Sequence, residues 1–473
     1  MAIKSGLVMK IENRQVMMKS RIWLLVLAMA GGVMYTGRLT QAADLVIKSF
    51  DITGQLTFSE FTTATVYRVE WANAPTGVWY TGSPGVTGIV ARDYSQNMAT
   101  VGVSEASCFY RVVAEIADYM MIDLSAGPSA TNYPVSYLTT VPAGGWTEEY
   151  KTTKLVFRRI PAGTFTMGSP TNELGRYDDE TQHQVTLKQP FYICVFDVTQ
   201  KQWERVMGTW PSWFNNTSYR DSRPVEQVSY NDIRGASAGT NWPANGNVDV
   251  DSFMGRLRAR TGKTFDLPTE SQWEYAGRAG TTTALNSGYN LTNTNSDAHM
   301  SEVGRYWYNG GSNYEQSVDT SGATAQVGSY LPNQWGLYDI HGNVLEWCLD
   351  WYGSYPGTVS DPQGATSGSY RVFRGGSWSY GTDFCRLAFR PNYYPDTADR
   401  QIGFRTVLLT ETVGIASRQA TSVAGMKNLN NKTKCCMKNG LVIIAATKQA
   451  SDSSASADTA VGPGMPVEDN LSF

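Results

Sequence analysis

Histidine and charged residues are scarce in this chain of 473 residues. The three histidines, His183, His299 and His341, do not form a pattern typical of a Ser-His-Asp triad, and no glycine-rich phosphate loop follows a predicted strand. Charged residues make up 17% of the chain, the formal net charge is -3, and no basic stripe is present. We therefore expect neither triad hydrolysis, nor phosphate-loop chemistry, nor a nucleic-acid partner.

A long apolar run is also missing. The stretch from Ile22 to Tyr35 has about fourteen apolar residues, and a membrane-spanning helix needs roughly twenty. Basic residues up to Arg21 precede it, and small residues up to Ala43 follow it. This pattern predicts that residues 1–43 are a signal peptide of a bacterial protein that is periplasmic, cell-surface or extracellular. The alternative is an uncleaved signal, which would be the protein's one contact with a membrane.

Cysteine is too rare for a disulfide scaffold. The six cysteines are Cys108, Cys194, Cys348, Cys385, Cys435 and Cys436. Export would allow disulfides to persist. A bridge between Cys348 and Cys385 and two separate buried thiols both remain open, and the adjacent Cys435 and Cys436 could link to a partner.

What the sequence has in abundance is glycine, tyrosine and tryptophan, at 45, 26 and 14 residues. This composition is typical of a loop-rich globular protein with an aromatic core. Short alternating runs such as Thr65–Trp71 predict a small β-rich domain over residues 44–147, which ends in a linker. A larger domain is predicted over 155–408. The segment 409–473 is of low complexity and is predicted to be a disordered tail.

Three local signals predict secondary structure in the larger domain. Thr199–Gln202 and Thr269–Gln272 have the Thr-x-x-Gln form of a capping box, so a helix is predicted to begin at each. Two strands, Leu155–Ile160 and Gly163–Met167, are predicted to form a hairpin around Pro161.

The stretch from Asn333 to Arg405 is the densest in motifs. It contains Trp335–Trp347, Arg374–Trp378 and Gly403–Arg405, with Cys385 between the last two. Glycines, tryptophans and acidic residues alternate too closely for a long helix and too irregularly for one strand. The pattern indicates tight turns that hold a loop-built site, and we expect the function of the protein to lie here.

These motifs resemble the formylglycine-generating enzyme family, also called the sulfatase-modifying factor family. The upstream segments Gly163–Pro170, Asp197–Trp203, Pro224–Ser229 and Leu267–Ala276 match the same family in the same order. The resemblance extends from Phe157 to about Leu408. It implies an α+β domain with little regular secondary structure, related to the C-type lectin fold and preceded here by the small all-β domain.

The turn around His341 has the composition of a calcium site. Two carboxylates with backbone carbonyls between them can surround one hard cation. The resemblance implies a structural calcium ion bound by the side chains of Asp339 and Glu346 and by the carbonyls of Gly342 and Val344. His341 itself is predicted to be a polar surface residue. In the resembled family a second calcium site is built from the region that corresponds to residues 280–330, but no ligands can be assigned here.

The sequence departs from the family at the copper site. Family enzymes that make formylglycine hold copper(I) between two cysteines five positions apart, because soft thiolates suit this ion. Here the second position is Cys385, but the first is Tyr380. The departure puts copper, oxygen activation and formylglycine formation in doubt, and leaves Cys385 and Ser377 as candidate catalytic residues. The ergothioneine branch needs an N-terminal three-histidine iron site, which the sequence lacks.

Two functions follow from this resemblance. In the first, the protein is an exported, copper-free member that binds a peptide or glycan on an aromatic-lined surface around Trp347, Ser377, Trp378 and Tyr380. In the second, it is an oxygen-dependent oxidoreductase of the formylglycine-generating type, which oxidises a cysteine or another side chain of an exported polypeptide. Whether the protein is an enzyme stays open at this point.

Overall fold

The computed structural model of this chain describes residues 117–310 and 323–408, together with the backbone of strands outside these ranges. The predicted signal peptide and tail lie outside the described residues, as do Cys108, Cys435 and Cys436. The chain divides into two compact units, one formed by Met1–Phe61, Tyr67–Ala114 and Met426–Phe473 and the other by Thr62–Val66 and Glu115–Gly425.

The strands before residue 117 and after residue 425 form two sheets. Their bounds are Ile22–Leu27, Ile47–Phe50, Gln55–Ser59, Thr65–Ala72, Tyr80–Thr81, Val86–Asp93, Met98–Val103, Phe109–Ile116, Met437–Lys438 and Leu441–Ile444. The strand Thr65–Ala72 covers the alternating run from which a strand was predicted.

A six-stranded antiparallel sheet is the centre of the second unit. In spatial order its strands are Val135–Leu138, Tyr119–Asp123, Lys154–Ile160, Phe191–Cys194, Val407–Leu409 and Phe265–Asp266. Leu155 and Phe157 pack into one hydrophobic cluster and the intervening Val156 into another, as the two-residue period of a strand requires. The sheet is therefore covered by apolar side chains on both faces.

The boundary between the units lies earlier than the sequence indicated. Tyr119–Asp123 pairs with both Val135–Leu138 and Lys154–Ile160, so residues that were predicted to end the N-terminal β-rich domain belong to the central sheet of the second unit. The alternation of apolar and polar residues predicts that a segment is a strand. It does not predict which sheet the strand joins, because pairing depends on partners elsewhere in the chain.

The predicted hairpin is wrong, although both of its strands exist. Lys154–Ile160 pairs with Phe191–Cys194, whereas Gly163–Met167 pairs with His183–Leu187 in a separate sheet that also contains Val359–Ser360. Pro161 between them has no N–H to donate and fixes its own φ angle, so the chain passes from one sheet to the next here.

Two further small sheets lie in the motif-dense region. Leu345–Trp351 pairs antiparallel with Arg371–Arg374 and parallel with Ile402–Gly403, and Asn392–Tyr393 is the edge strand beside Arg371–Arg374. The other sheet joins Gly304–Arg305 to His341–Gly342. The site is thus supported by short ladders between long loops.

The helices of the described residues are short. The α-helices are Glu149–Thr152, Gln200–Met207, Tyr230–Arg234, Phe253–Thr261, Glu270–Arg278, Ala298–Val303 and Trp307–Gly310, and the 3-10 helices are Arg220–Ser222, Ala238–Asn241 and Thr382–Cys385. In the part of the chain that the structure describes, no helix has both the length and the apolar character needed to cross a bilayer.

Both predicted capping boxes are confirmed. The Thr269 hydroxyl accepts a hydrogen bond from the Gln272 amide at 3.2 Å, and the Gln272 side chain accepts one from the Thr269 amide at 2.9 Å. Thr199 and Gln202 make the same pair of bonds. The sequence analysis missed a third box, between Ser229 and Asp232.

Ion pairs between buried arginines and carboxylates cross the core of this unit. Arg386 donates to Glu173 and Glu180 at 2.7 Å each, and Arg390 donates to Glu270 at 2.7 Å. Arg374 pairs with Glu274, which is fully buried. The resulting network joins segments one hundred or more residues apart in the chain.

We expect removal of either threonine cap to destabilise the second unit. In Thr199→Ala and Thr269→Ala a first-turn amide loses its acceptor, so the free energy of unfolding should fall by about 1 kcal/mol in each variant. Urea denaturation followed by tryptophan fluorescence measures this change. Thr269→Ser keeps the hydroxyl and should stay close to the wild type, and a loss as large as that of the alanine variant would contradict the capping role.

Candidate functional site

A tight turn after the strand Arg371–Arg374 sets the geometry of the predicted site. Gly375 and Gly376 have φ angles of 93° and 78°, which favour glycine. A Cβ atom on Gly376 would lie 2.6 Å from the Cys385 sulfur, so a larger residue would collide with it. The turn therefore brings Ser377 directly beside Cys385.

Cys385 and Cys348 are separate buried thiols. Of the two alternatives that the sequence left open, the bridge is not formed. Cys385 packs in a cluster with Leu291 and Tyr306, whereas Cys348 packs in another with Trp273. Burial raises the pKa of the Cys385 thiol, whose sulfur lies 3.9 Å from the carbonyl oxygen of Ser377. The thiol is the stable form of Cys385 in this environment.

Ser377 is bonded to an amide rather than to a base. Its hydroxyl donates to the Gln401 side-chain oxygen at 3.0 Å, and Ser379 donates to the same oxygen at 2.6 Å. An amide oxygen does not take a proton at neutral pH, so this arrangement does not activate Ser377 as a nucleophile. The catalytic role of Ser377 and Cys385 stays a prediction.

The structure corrects the aromatic-lined surface that the sequence suggested. Trp347 is fully buried and donates to the Val228 carbonyl at 3.0 Å, and Trp378, which is 1% exposed, donates to the Arg400 carbonyl at 3.0 Å. Tyr380 is partly buried, with its ring centroid 5.4 Å from that of Phe384. The two indoles are core residues because the strands and turns here are covered on both sides.

An exposed group of tyrosines lies at the edge of the small sheet that contains Trp347, and the sequence analysis did not identify it. Tyr370, Tyr393 and Tyr394 are 37%, 52% and 49% exposed. The rings of Tyr370 and Tyr394 lie 4.7 Å apart, and those of Tyr393 and Tyr394 lie 5.8 Å apart. We call these residues the tyrosine surface. The adjacent pair Tyr393-Tyr394 was the sequence feature that could have indicated this group. Residue type alone, however, does not show whether a tyrosine is exposed.

Three buried carboxylates surround Arg405 at the predicted calcium turn. The Arg405 guanidinium donates to Glu346 through Nη2 at 2.7 Å and through Nε at 2.5 Å, and to Asp197 at 2.9 Å. Glu346 also accepts from the Trp273 indole at 2.8 Å. Asp339 is 1% exposed and accepts from the Gly328 amide at 2.7 Å through Oδ2.

The carboxyl groups of this cluster outnumber the cation that is hydrogen-bonded to them, although the charge of Lys151 also acts on Asp339. One guanidinium faces three carboxyl groups, and Asp339 Oδ1 and Asp197 Oδ2 are buried without a hydrogen-bond partner. Burial raises the pKa of Asp339 to about 6 and raises that of Asp197 well above its ordinary value. A proton or a cation is therefore needed at the unpartnered oxygens.

The predicted calcium ligands fit this cluster in part. Asp339 offers a free oxygen, but both oxygens of Glu346 are already bonded to Arg405 or Trp273. No group of three or more His, Cys, Asp or Glu side chains within 117–310 and 323–408 has the geometry of a metal site. Calcium binding through Glu346 would require its carboxylate to be shared with the guanidinium.

The comparison with protein families settles which family this is. The model of the sulfatase-modifying factor enzyme 1-like domain matches residues 146–409, which is more than half of the 473 residues. The chain belongs to the sulfatase-modifying factor family. The resemblance found in the motifs is thereby confirmed, as is the mixed α+β fold with few helices and several small sheets.

Individual relatives of this family member carry different names. The formylglycine-generating enzyme of Streptomyces coelicolor is 30% identical over 286 residues, which cover 52% of this chain and 87% of that enzyme. The chaperone protein LppX of Paenibacillus barcinonensis is 30% identical over 241 residues, 46% of this chain and 79% of that protein. Among solved structures, the Treponema denticola variable protein 1 is 28% identical, with a TM-score of 0.42 and coverage of 54% of this chain and 96% of that one. The family establishes the fold and leaves the activity open.

His341 of this family domain is not the surface residue that the sequence predicted. It is fully buried, with Nδ1 2.7 Å from the Cys385 carbonyl oxygen and Nε2 3.0 Å from the Asn286 amide nitrogen. Nδ1 must therefore carry the proton, and Nε2 accepts. Burial lowers the pKa of His341 to about 4, so the neutral ring links the predicted calcium turn to the segment that holds Cys385.

We expect the buried Asp339 carboxyl to give a pH-dependent stability in EDTA. Because its folded-state pKa is raised from 3.8 to about 6, the folded protein keeps a proton that the unfolded chain releases. This stabilisation is complete below 3.8 and is lost as the pH rises through about 6. The free energy of unfolding of the wild type, relative to Asp339→Asn, should fall over this window. Chemical denaturation at a series of pH values measures it.

Asp251→Asn is the control for this experiment, because Asp251 is exposed. Its difference from the wild type should not change over the same pH range. A wild-type advantage over Asp339→Asn that is constant, or that grows with pH, would show that the Asp339 carboxyl is not protonated in the folded protein.

Proposed function

We propose that this protein is an exported, copper-free member of the sulfatase-modifying factor family that binds a peptide or glycan. The tyrosine surface is the observation that carries this proposal. Tyr393 lies on the edge strand, paired with Arg371, and Tyr370 lies next to Arg371 in the chain. Tyr393 thus lies in a strand of the small sheet, and Tyr370 and Tyr394 each lie one residue outside a strand of that sheet.

Exposed tyrosines suit recognition for physical reasons. Their rings offer a large apolar area at the cost of ordering two side-chain torsions, and their hydroxyls can bond to polar groups. The Tyr370 and Tyr394 hydroxyls lie 3.3 Å apart, so each restrains the other. A peptide backbone or a sugar presents both apolar and hydrogen-bonding groups, and such a ligand would use both properties of the surface.

The thiol chemistry supports binding rather than oxidation. Copper(I) is held by soft thiolates, and this chain has Tyr380 where the resembled enzymes have the first cysteine. Cys385 is fully buried, its pKa is raised, and Cys348 belongs to a different part of the core. The oxidoreductase alternative would need a second soft ligand beside Cys385.

Calcium is part of this proposal as a structural ion. The excess of carboxylates over guanidinium at Arg405 and the unpartnered oxygen of Asp339 support a cation there. The role would be to stiffen the turn from Asp339 to Glu346, since a bound cation replaces the proton that burial otherwise requires. Calcium added to the EDTA-treated protein should then remove the pH dependence assigned to Asp339.

We expect the double variant Tyr393→Ala/Tyr394→Ala to lose ligand binding. The wild-type chain, screened against immobilised peptides and glycans, should retain a subset of them, and the double variant should bind that subset at least about tenfold more weakly because two contact residues are gone. The control is Tyr308→Ala, since Tyr308 is 53% exposed but lies outside the surface. Equal binding by the double variant and the wild type would refute this role.

We expect the protein to bind copper(I) weakly, because one buried thiol is a poor site for it. The full chain is titrated with copper(I) under reducing conditions beside Cys385→Ala, and oxygen uptake is recorded with a cysteine-containing sulfatase peptide. The two proteins should behave alike, without uptake. Tight copper(I) binding that the variant loses, together with oxygen uptake, would establish the oxidase instead.

A further inference from the structure

A cleft of about 370 Å³ lies away from the turn that holds Ser377. Its lining includes Asp350 and Trp351, which end the strand Leu345–Trp351. In the antiparallel ladder Trp351 is paired with Arg371, whereas Ser377 follows Arg374 at the opposite end. The cleft is therefore distinct from the predicted copper and calcium positions.

One of the two acidic groups in the cleft is already neutralised. Glu270 accepts from Arg390 through both of its oxygens at 2.7 Å, and from the Tyr355 hydroxyl at 3.1 Å. Arg390 also donates a hydrogen bond through Nη1 to the Gly353 carbonyl oxygen at 2.9 Å. An anionic ligand would thus find no unoccupied guanidinium here, because Arg390 is committed to protein acceptors.

The other acidic group has no such partner. Asp350 is 3% exposed, and Oδ2 accepts from the Glu270 amide at 2.8 Å. Within 117–310 and 323–408, no cationic side chain forms an ion pair with it. Its neighbour Arg371 instead donates to the carbonyls of Leu349 and Thr240, with its guanidinium 3.3 Å from the centre of the Trp351 ring.

The walls around Asp350 are largely apolar. Met167, Pro356, Val359 and Pro362 line the cleft, which gives an apolar body a place to pack. A carboxylate that is both buried and unpaired is costly, and a cation hydrogen-bonded to it removes most of that cost. An ammonium group carries the matching charge and several donors.

We propose that this cleft binds a small organic amine, whose ammonium group donates to the Asp350 carboxylate while its apolar body packs on the cleft walls. This inference does not depend on the peptide- or glycan-binding function, which concerns the tyrosine surface. Burial, with a smaller contribution from the Glu270 carboxylate, raises the pKa of Asp350 to about 7, although the hydrogen bond from the Glu270 amide and the charges of Arg390 and Arg371 lower it. His183 also lines the cleft, and its Nδ1 lies 3.0 Å from the Thr181 carbonyl oxygen.

The test compares two probes of nearly equal shape, cyclohexylamine and cyclohexanol, by NMR titration of the full chain at pH 8. The amine should bind at least about tenfold more tightly than the alcohol, because only the amine can form an ion pair with Asp350. Lowering the pH from 8 to 6 should weaken amine binding by about tenfold, since the carboxyl group becomes protonated and cannot pair. Alcohol binding should change little.

Two variants make the assignment specific. Asp350→Asn keeps an acceptor for the Glu270 amide, so the fold is retained, but it should bind the amine no better than the alcohol. Asp361→Asn removes a carboxylate that is half exposed and outside the lining, and it should keep the preference for the amine. Equal affinity of the wild type for the two probes, binding of neither, or an amine preference that survives Asp350→Asn would overturn the proposal.

Discussion

Buried guanidinium groups are the constraint on which the second unit of this protein depends. An arginine that is closed off from water must have carboxylate or carbonyl acceptors, and leaving it without them costs several kcal/mol. Arg405 meets this need with Asp197, Glu346 and two backbone carbonyls. These bonds fix segments that are far apart in the chain relative to one another. They matter because the sheet ladders in this region are only a few residues long.

The same constraint explains why glycine is so frequent in the motif-dense region. Loops that wrap closely around charged side chains and around each other leave no room for a Cβ atom. At Gly342 such an atom would lie 1.9 Å from the Arg305 carbonyl oxygen, and at Gly364 it would lie 2.6 Å from the Asp350 Cβ atom. The positive φ angle of 73° at Gly342 adds a second reason for glycine there.

Local signals in the sequence predicted local structure correctly. They did not predict strand pairing or burial, which depend on residues far away in the chain. The capping boxes at Thr199 and Thr269 were found because all of their groups lie within four residues. The predicted hairpin was wrong because both strands pair with strands elsewhere in the chain rather than with each other. Burial of Trp347 and His341 was missed for a related reason, since no short pattern reveals which loops will cover a side chain. The family motifs predicted the fold correctly, but the exposed tyrosines and the cleft at Asp350 became visible only in three dimensions.

The three cysteines among the described residues have a consequence for experiments that follow this protein in solution. Cys194, Cys348 and Cys385 are each at most 1% exposed and are unbridged. A thiol reagent can reach a buried sulfur only when the surrounding structure opens. Cys194 lies in the central sheet, Cys348 in the ladder of the motif-dense region, and Cys385 at the end of the 3-10 helix Thr382–Cys385. The chain thus carries natural reporters in three places, and their rates of labelling would show whether these parts open together or one at a time.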